Sequence, residues 1–274
     1  NVNPRPKMIY FGHDLHFMRM EREYLFTGNQ KHRDQSEKWK QRELAIFESF
    51  DKVYFPSLIE VERVAEIAPA VDVSAIPLYV MERSEVEPYS WQDRVDILFV
   101  AGFNHSPNID AVCWFVKEIL PLVVAACPDI KLNVVGSNTP DSVKALAGKH
   151  VIVHGYLSDD ELAERYRQTR MVAVPLRFGA GVKGKILEAM QHGVPLVTTA
   201  IGAEGFAEPN IVFNIKETPA DFAQELIEIE HGCSARLRKL DHYAEYLARY
   251  FSKSRAREIL LRDFGHPRIA REWL

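Results

Sequence analysis

The 274-residue chain is poor in cysteine, and its three, Cys113, Cys127 and Cys233, are far apart. Without a Cys-x-x-Cys pair there is no zinc ribbon or dithiol redox motif, and an odd count gives no disulfide framework, so a reducing cytoplasm is the expected compartment. Long apolar runs are also missing: the longest, Ile119 to Cys127, falls well short of the ~20 residues of a membrane-spanning helix. Asn1 to Lys7 lack the apolar core of a signal peptide, and the chain does not begin with Met, so it reads as a piece of a longer one. Charge of one sign is absent too. Lys and Arg number 34 against 38 Asp and Glu, a net of −4, which gives no field to gather nucleic acid.

What is present is the composition of a folded globular chain, 47% hydrophobic and 11% aromatic. From residue 95 onward, short β-rich runs alternate with stretches of helical period, the pattern of a buried parallel sheet in an α/β fold. Strands are predicted at Ile97–Ala101, Leu132–Val135, Val151–Val153, Met171–Val174, Leu196–Thr198 and Ile211–Phe213. Ser106-Pro107 fits N-cap and N1 of a helix that Pro121 kinks, Ser158 and Glu161 form a capping box, and Thr218-Pro219 opens another helix.

The first ~90 residues repeat the alternation in shortened form. Strands are expected at Lys7–Phe11, Lys52–Phe55 and Val71–Ile76, and helices at Ser36–Phe50 and Ser57–Ala68, the second opened by a Ser57–Glu60 capping box. Thr27 to Gln35 read as a loop, and Tyr79 to Arg94 as a linker between two domains.

The richest stretch for chemistry runs from Pro175 through Arg177, Gly179, Ala180, Gly181, Val182, Lys183, Gly184, Lys185 and Glu188 to Thr199. It reads as strand, glycine-rich loop, helix and strand. The glycines admit close backbone approach, the helix start offers free N–H groups, and Lys183 and Lys185 add positive charge at that same end, a cradle for a diphosphate. Glu188, three residues past Lys185, shares its helix face and is suited to the paired hydroxyls of a ribose. Spacing alone equally allows an ordinary loop with a Lys185–Glu188 surface ion pair.

These residues closely resemble the donor-binding signature of the family 4 glycosyltransferases. So do Asp96 to Asp110, Val134 to Gly136, Val153 to Tyr156 and Thr199 to Gly205, while Met8 to His16 more weakly resemble the active-site loop of that family's N-terminal domain. The resemblance implies the GT-B architecture, a Rossmann-like parallel-sheet domain with a partial second Rossmann-like domain. The expected division is 1–88 for the end of the acceptor-side domain, 89–245 for the donor-binding domain, and 246–274 for helices that pack back across both.

By the same resemblance Glu188 binds the donor ribose, the glycine loop with Lys183 and Lys185 holds the diphosphate, and Gly155 and Tyr156 line the base pocket. Gly102, Asn104 and His105 face the phosphates, and His13 sits near the transferred sugar. Read from the residues themselves, Asp14 is placed to orient the His13 ring, and Arg177 points toward the cleft if its strand ends at Val174, with phosphate contact and a surface role equally open. Ala180 stands where the family commonly has a Glu near the donor sugar, so amides from Ala180 to Val182 are left to meet its hydroxyls.

The implied activity is retaining transfer of a hexosyl or deoxyhexosyl group from a nucleotide-diphosphate sugar to a glycan or lipid-linked saccharide, in polysaccharide biosynthesis. No metal or other cofactor is expected, in keeping with the lack of an Asp-x-Asp motif. Two other readings share the fold: a sugar-nucleotide epimerase and a non-catalytic glycosyltransferase-like binding module. His13 and His16 leave a zinc site unfinished. Arg19 and Arg22 read as a solvated helix face and Glu204 as a loop or capping residue. The amphipathic segment Phe251 to Phe264 is expected to pack as a terminal helix, with peripheral contact to the inner face of a membrane left open.

Overall fold

The computed structural model describes residues 6–77, 81, 91–233 and 237–265. It contains two parallel sheets. The smaller has the order β1-β2-β3, from β1 (Ile9–Phe11), β2 (Lys52–Phe55) and β3 (Val73–Ala75). The larger runs β6-β5-β4-β7-β8-β9, from β4 (Val95–Val100), β5 (Leu132–Val135), β6 (Val151–Gly155), β7 (Thr169–Val174), β8 (Leu196–Thr198) and β9 (Asn214–Ile215). Ile97, Leu98 and Phe99 are consecutive and all inaccessible to solvent, because helices cover both faces of the sheet. Chain order reverses at β4, which pairs with both β5 and β7. The crevice beyond the carboxyl ends of these strands is where open α/β sheets bind ligands.

Apolar packing separates the two sheets. One cluster fills the larger domain, and a second, with Leu15, Phe17, Phe47, Val53, Phe55 and Val64, fills the smaller. Of the final helices, α11 (Tyr243–Tyr250) joins the large cluster through Tyr243, Tyr246 and Leu247, whereas α12 (Lys253–Phe264) lays Ile259 against Tyr54 and Ile76 of the first domain. The Tyr54 hydroxyl donates to Asp263 at 2.7 Å, fixing that helix to β2.

Several elements differ from the sequence reading, each for a local reason. Thr27 to Gln35 is no loop: α1 (His16–Thr27) ends at Gly28 in the left-handed region, and α2 (Gln30–Phe47) starts at once, with the Asn29 side chain accepting from the Lys31 amide at 3.1 Å. The mostly polar surface of α2 hid this helix. Helix α4 (Ser106–Trp114) begins directly after His105, whose side chain makes no capping bond, and Ser106 already lies inside it. A π-turn at Phe115–Ile119 leads into α5 (Leu120–Ala126), placing the wider register just before Pro121, where an ordinary turn would meet its ring and find no N–H. The Ile211–Phe213 strand is replaced by a short helix at Pro209–Val212, with Pro209 in the first turn, and the strand follows at Asn214. The linker expected over Tyr79 to Arg94 falls largely outside the described residues.

The remaining helices are α3 (Leu58–Ile67), α6 (Asp141–Lys144), α7 (Asp159–Gln168), α8 (Gly184–Gln191), α9 (Pro209–Val212) and α10 (Pro219–Glu230). Helix α7 has its full Ser158–Glu161 capping box, and Thr218 caps α10. The box expected at Ser57 and Glu60 does not form, since the Ser57 hydroxyl donates to the Glu60 carboxyl and makes no bond to the backbone.

Candidate functional site

Loops from the carboxyl ends of both sheets enclose a cavity of about 540 Å³. The donor-side wall is the loop after β7, Leu176 to Lys183, running into α8. The facing wall is the loop after β1, Gly12 to Asp14, with His16 and Arg19 of α1. Gly181 makes this approach possible: at φ +76° it occupies the region that favours glycine, and a Cβ there would lie 3.0 Å from both the Asp14 Cβ and the His13 carbonyl oxygen.

Two lysines dominate the donor-side wall. Lys185, in the first turn of α8, donates to Asn108 Oδ1 at 2.9 Å, while Asn108 Nδ2 donates to the Gly102 carbonyl at 2.8 Å. This asparagine joins the loop after β4 to α8 and lines the cavity. Lys183, the residue immediately before α8, folds back onto the carbonyls of Ala180 and Gly181. Burial pushes the Lys183 ammonium down to about 8, and burial together with Lys183 pushes Lys185 down to about 7. An anion among these groups restores their charge. With the amides at the start of α8, the wall is arranged to bind negative charge.

The facing wall balances its charges. Arg19 bonds Asp14 at 2.5 Å, and His16 bonds Glu43 at 3.0 Å and stacks on Trp39. The buried Glu43 also accepts the amides of His16 and Phe17, capping α1 from α2. His13 lines the cavity beside these groups. Arg22, expected on a solvated face, instead crosses between domains, donating to the Gly179 carbonyl at 2.7 Å and to Glu204 at 2.6 Å. Burial, with Arg19 next, lowers the pKa of His105.

The sequence-selected residues do not all meet in this cavity. His13, His105, Gly179, Ala180, Gly181, Val182, Lys183 and Lys185 line it. Glu188 stands deeper along α8, its carboxylate accepting the buried Tyr166 hydroxyl at 2.8 Å. Gly102 and Asn104 follow β4, and Gly155 and the exposed Tyr156 mark the end of β6, all at the carboxyl edge of the larger sheet. Arg177 does not point into the cavity. Its guanidinium forms a two-pronged ion pair with Asp110 and lies over the rings of Phe26 and Trp114. The Ala180 side chain packs against the first domain's apolar cluster.

Sequence reasoning missed Asn108 as a cavity residue and set aside Arg19, Arg22 and Glu204. The only local signal for Asn108 was its place at the start of α4, whereas Arg22 and Glu204 are 182 residues apart. Among the described residues no three His, Cys, Asp or Glu side chains converge as a metal site, and no helix is long and apolar enough to cross a membrane.

Comparison with known proteins agrees with this geometry. The family model for group 1 glycosyl transferases matches residues 94–231. A protein of the cps region of Klebsiella pneumoniae is 30% identical over 172 residues, covering 58% of this chain and 42% of that protein. Among solved structures, a TarM variant of S. aureus in complex with fondaparinux, alpha-GlcNAc-glycerol and UDP superposes with a TM-score of 0.77 at 14% identity, over 97% of this chain and 52% of that one. Sucrose-phosphate synthase of Thermosynechococcus elongatus gives a TM-score of 0.66 at 18% identity, over 93% of this chain and 67% of that one. The chain thus spans about half the length of its first relatives. With the family match over its larger domain and two facing parallel-sheet domains around one cleft, the chain belongs to the group 1 glycosyltransferases and has the GT-B fold.

Proposed function

We propose that the cleft binds a nucleotide-diphosphate sugar and that the protein transfers its hexosyl or deoxyhexosyl group to a glycan or lipid-linked saccharide. The observation that carries this reading is the donor-side wall: two half-buried lysines, bonded among the described residues to neutral acceptors, flank the start of α8. As the bond between the anomeric carbon and the diphosphate breaks, negative charge grows on the departing oxygen. Lys185 and the helix amides lie at the start of α8 to meet it, and Lys183 reaches it by turning from the loop carbonyls.

Glu188 on the next turn of α8 is suited to the ribose hydroxyls, and Gly155 and Tyr156 to the base. His13, on the opposite wall, is placed to contact the transferred sugar. The reading includes retention of anomeric configuration and no requirement for a divalent cation, because the lysines supply the positive charge. Sugar recognition falls to the amides from Ala180 to Val182. The cps-region relative supports a place in polysaccharide biosynthesis, with the reaction on the cytoplasmic side.

The direct test incubates the chain with UDP-, GDP-, ADP- and dTDP-sugars, with and without glycan and lipid-linked acceptors, in EDTA. Release of one nucleoside diphosphate and a product of unchanged anomeric configuration by proton NMR are expected. An inverted product or dependence on added Mg²⁺ contradicts the corresponding part of the reading.

A further inference from the structure

Glu60 belongs to neither the cavity lining nor the helix cap that its spacing from Ser57 predicted. It is fully buried in the first turn of α3. One oxygen, Oε2, accepts the Ser57 hydroxyl at 2.9 Å, while Oε1 has no hydrogen-bond partner among the described residues. That bare oxygen faces the donor loop, 3.6 Å from where a Cβ on Gly181 would stand. The carbonyl of the same Gly181 receives the Lys183 ammonium.

A buried carboxylate with an unsatisfied oxygen is costly, and a neutral acid in that place costs much less. Burial holds the Glu60 carboxyl up at about 7, against the Ser57 hydrogen bond and the field of Lys183. The charged groups around it come from several elements: Lys183 from the donor loop, Asp14 from the loop after β1, and Glu204 from the loop after β8, itself bonded to Arg22 of α1. Both Glu60 and Glu204 act on Lys183 in turn.

We infer that Glu60 is a positioning residue of the donor site that acts through Lys183 by exchanging a proton with solvent: neutral, it frees the ammonium to turn toward a bound diphosphate, and ionised, it holds the ammonium behind the loop. This rests on the donor-site reading above. A diphosphate at the start of α8 adds negative charge to the cluster and so favours the protonated carboxyl. The bound state then holds more protons than the free state, and affinity falls as pH rises through 7. Lys183 and Lys185 take up protons with the same sign, so a variant is needed to assign the share of Glu60.

The test is calorimetric titration with UDP, GDP, ADP and dTDP near pH 7, in two buffers of different ionisation enthalpy, for the wild-type chain, Glu60→Gln and Ser57→Ala. Gln keeps the shape of the neutral acid. Glu60→Gln is expected to take up about half a proton fewer on binding the nucleotide and to lose about threefold less affinity between about pH 6 and 8. Ser57→Ala removes a bond that favours the carboxylate, so its pH midpoint moves upward. A purely structural role lowers affinity equally at every pH. Equal proton uptake in wild type and Glu60→Gln overturns the inference and leaves the donor site standing. Carbon-13 titration of the Glu60 carboxyl, assigned by Glu60→Gln, needs no nucleotide: a midpoint near 7 is expected, and one near the ordinary ~4 overturns the inference even where no nucleotide binds.

Discussion

The two walls of the cleft partner their basic side chains in opposite ways. On the donor side Lys185 meets an asparagine oxygen and Lys183 meets backbone carbonyls, all of them neutral. On the other side Arg19 meets Asp14, Arg22 meets Glu204 and His16 meets Glu43. A lysine held by a neutral acceptor has no bonded carboxylate to cancel its field, and an incoming anion restores the charge that burial weakens, while a cation held by a carboxylate has its charge largely cancelled. The contrast supports the proposed diphosphate site on the donor side, with the arginines opposite bracing the loops.

The sharpest way to break this contrast is to remove one cation from each side. Lys185→Ala is expected to weaken nucleoside-diphosphate binding about a hundredfold, the scale of a charged hydrogen bond of ~2–3 kcal/mol. Neutralising the facing pair with Asp14→Asn and Arg19→Gln together is expected to change it less than about threefold. Comparable losses, measured by calorimetry, mean that both walls bind the anion.

Whether the walls must stand this close is tested at Gly205. Its φ is +87°, and a Cβ there would come within 2.8 Å of the Ser57 Cβ and 2.9 Å of Val182 Cγ2. Gly205→Ala is expected to cost about 2 kcal/mol in urea unfolding, from backbone strain and displacement of α3 from the donor loop. Unchanged stability shows that the two domains part there without cost.

Within the donor wall, Glu188→Ala separates the diphosphate from the nucleoside. About a tenfold loss is expected for the nucleoside diphosphate and none for inorganic pyrophosphate, on the scale of one or two hydrogen bonds. Because the Tyr166 hydroxyl loses its carboxylate acceptor and is left with the Lys185 carbonyl at 3.5 Å, circular dichroism must show an unchanged fold.

The smallest effect lies outside the cleft, at the docking of α12. The Arg262 hydrogen bond, with Tyr54 and Lys52, holds Asp263 down at about 2 despite burial. A carboxyl depressed in the folded state contributes fully above its ordinary value near 4, and that contribution disappears as pH falls through about 2. Amide exchange in α12 should quicken over that interval, and Asp263→Asn should show the faster exchange already at neutral pH. Pairing at Asp263 that only anchors the helix leaves nucleotide affinity unaltered.

Much of the larger domain was legible because its strands are buried on both faces and its helices carry strong caps. Leu132–Val135 and Leu196–Thr198 appear with the bounds read from sequence, as does Lys52–Phe55 in the smaller sheet. Reading failed where tertiary partners replaced local ones. Glu43 caps α1 from another helix, so the start of α1 carries no local signal. Ser57 and Glu60 have capping-box spacing, yet the buried carboxyl takes the hydroxyl that a cap would use. In the site, the glycines and lysines were visible as one continuous motif, but Arg177 sits within that motif and turns to Asp110 instead. The Arg22–Glu204 contact exists only once the two domains face each other.

The central claim is that this cleft holds the diphosphate of a sugar nucleotide on its donor-side wall. Calorimetric titration of the chain with UDP, GDP, ADP and dTDP, repeated on Lys185→Ala and Glu188→Ala at unchanged circular dichroism, tests it most directly. One nucleotide is expected to bind the wild-type chain, weakly or not at all Lys185→Ala, and with reduced affinity Glu188→Ala. A folded wild-type chain that binds none of the four, or a Lys185→Ala chain that binds as tightly as wild type, contradicts it.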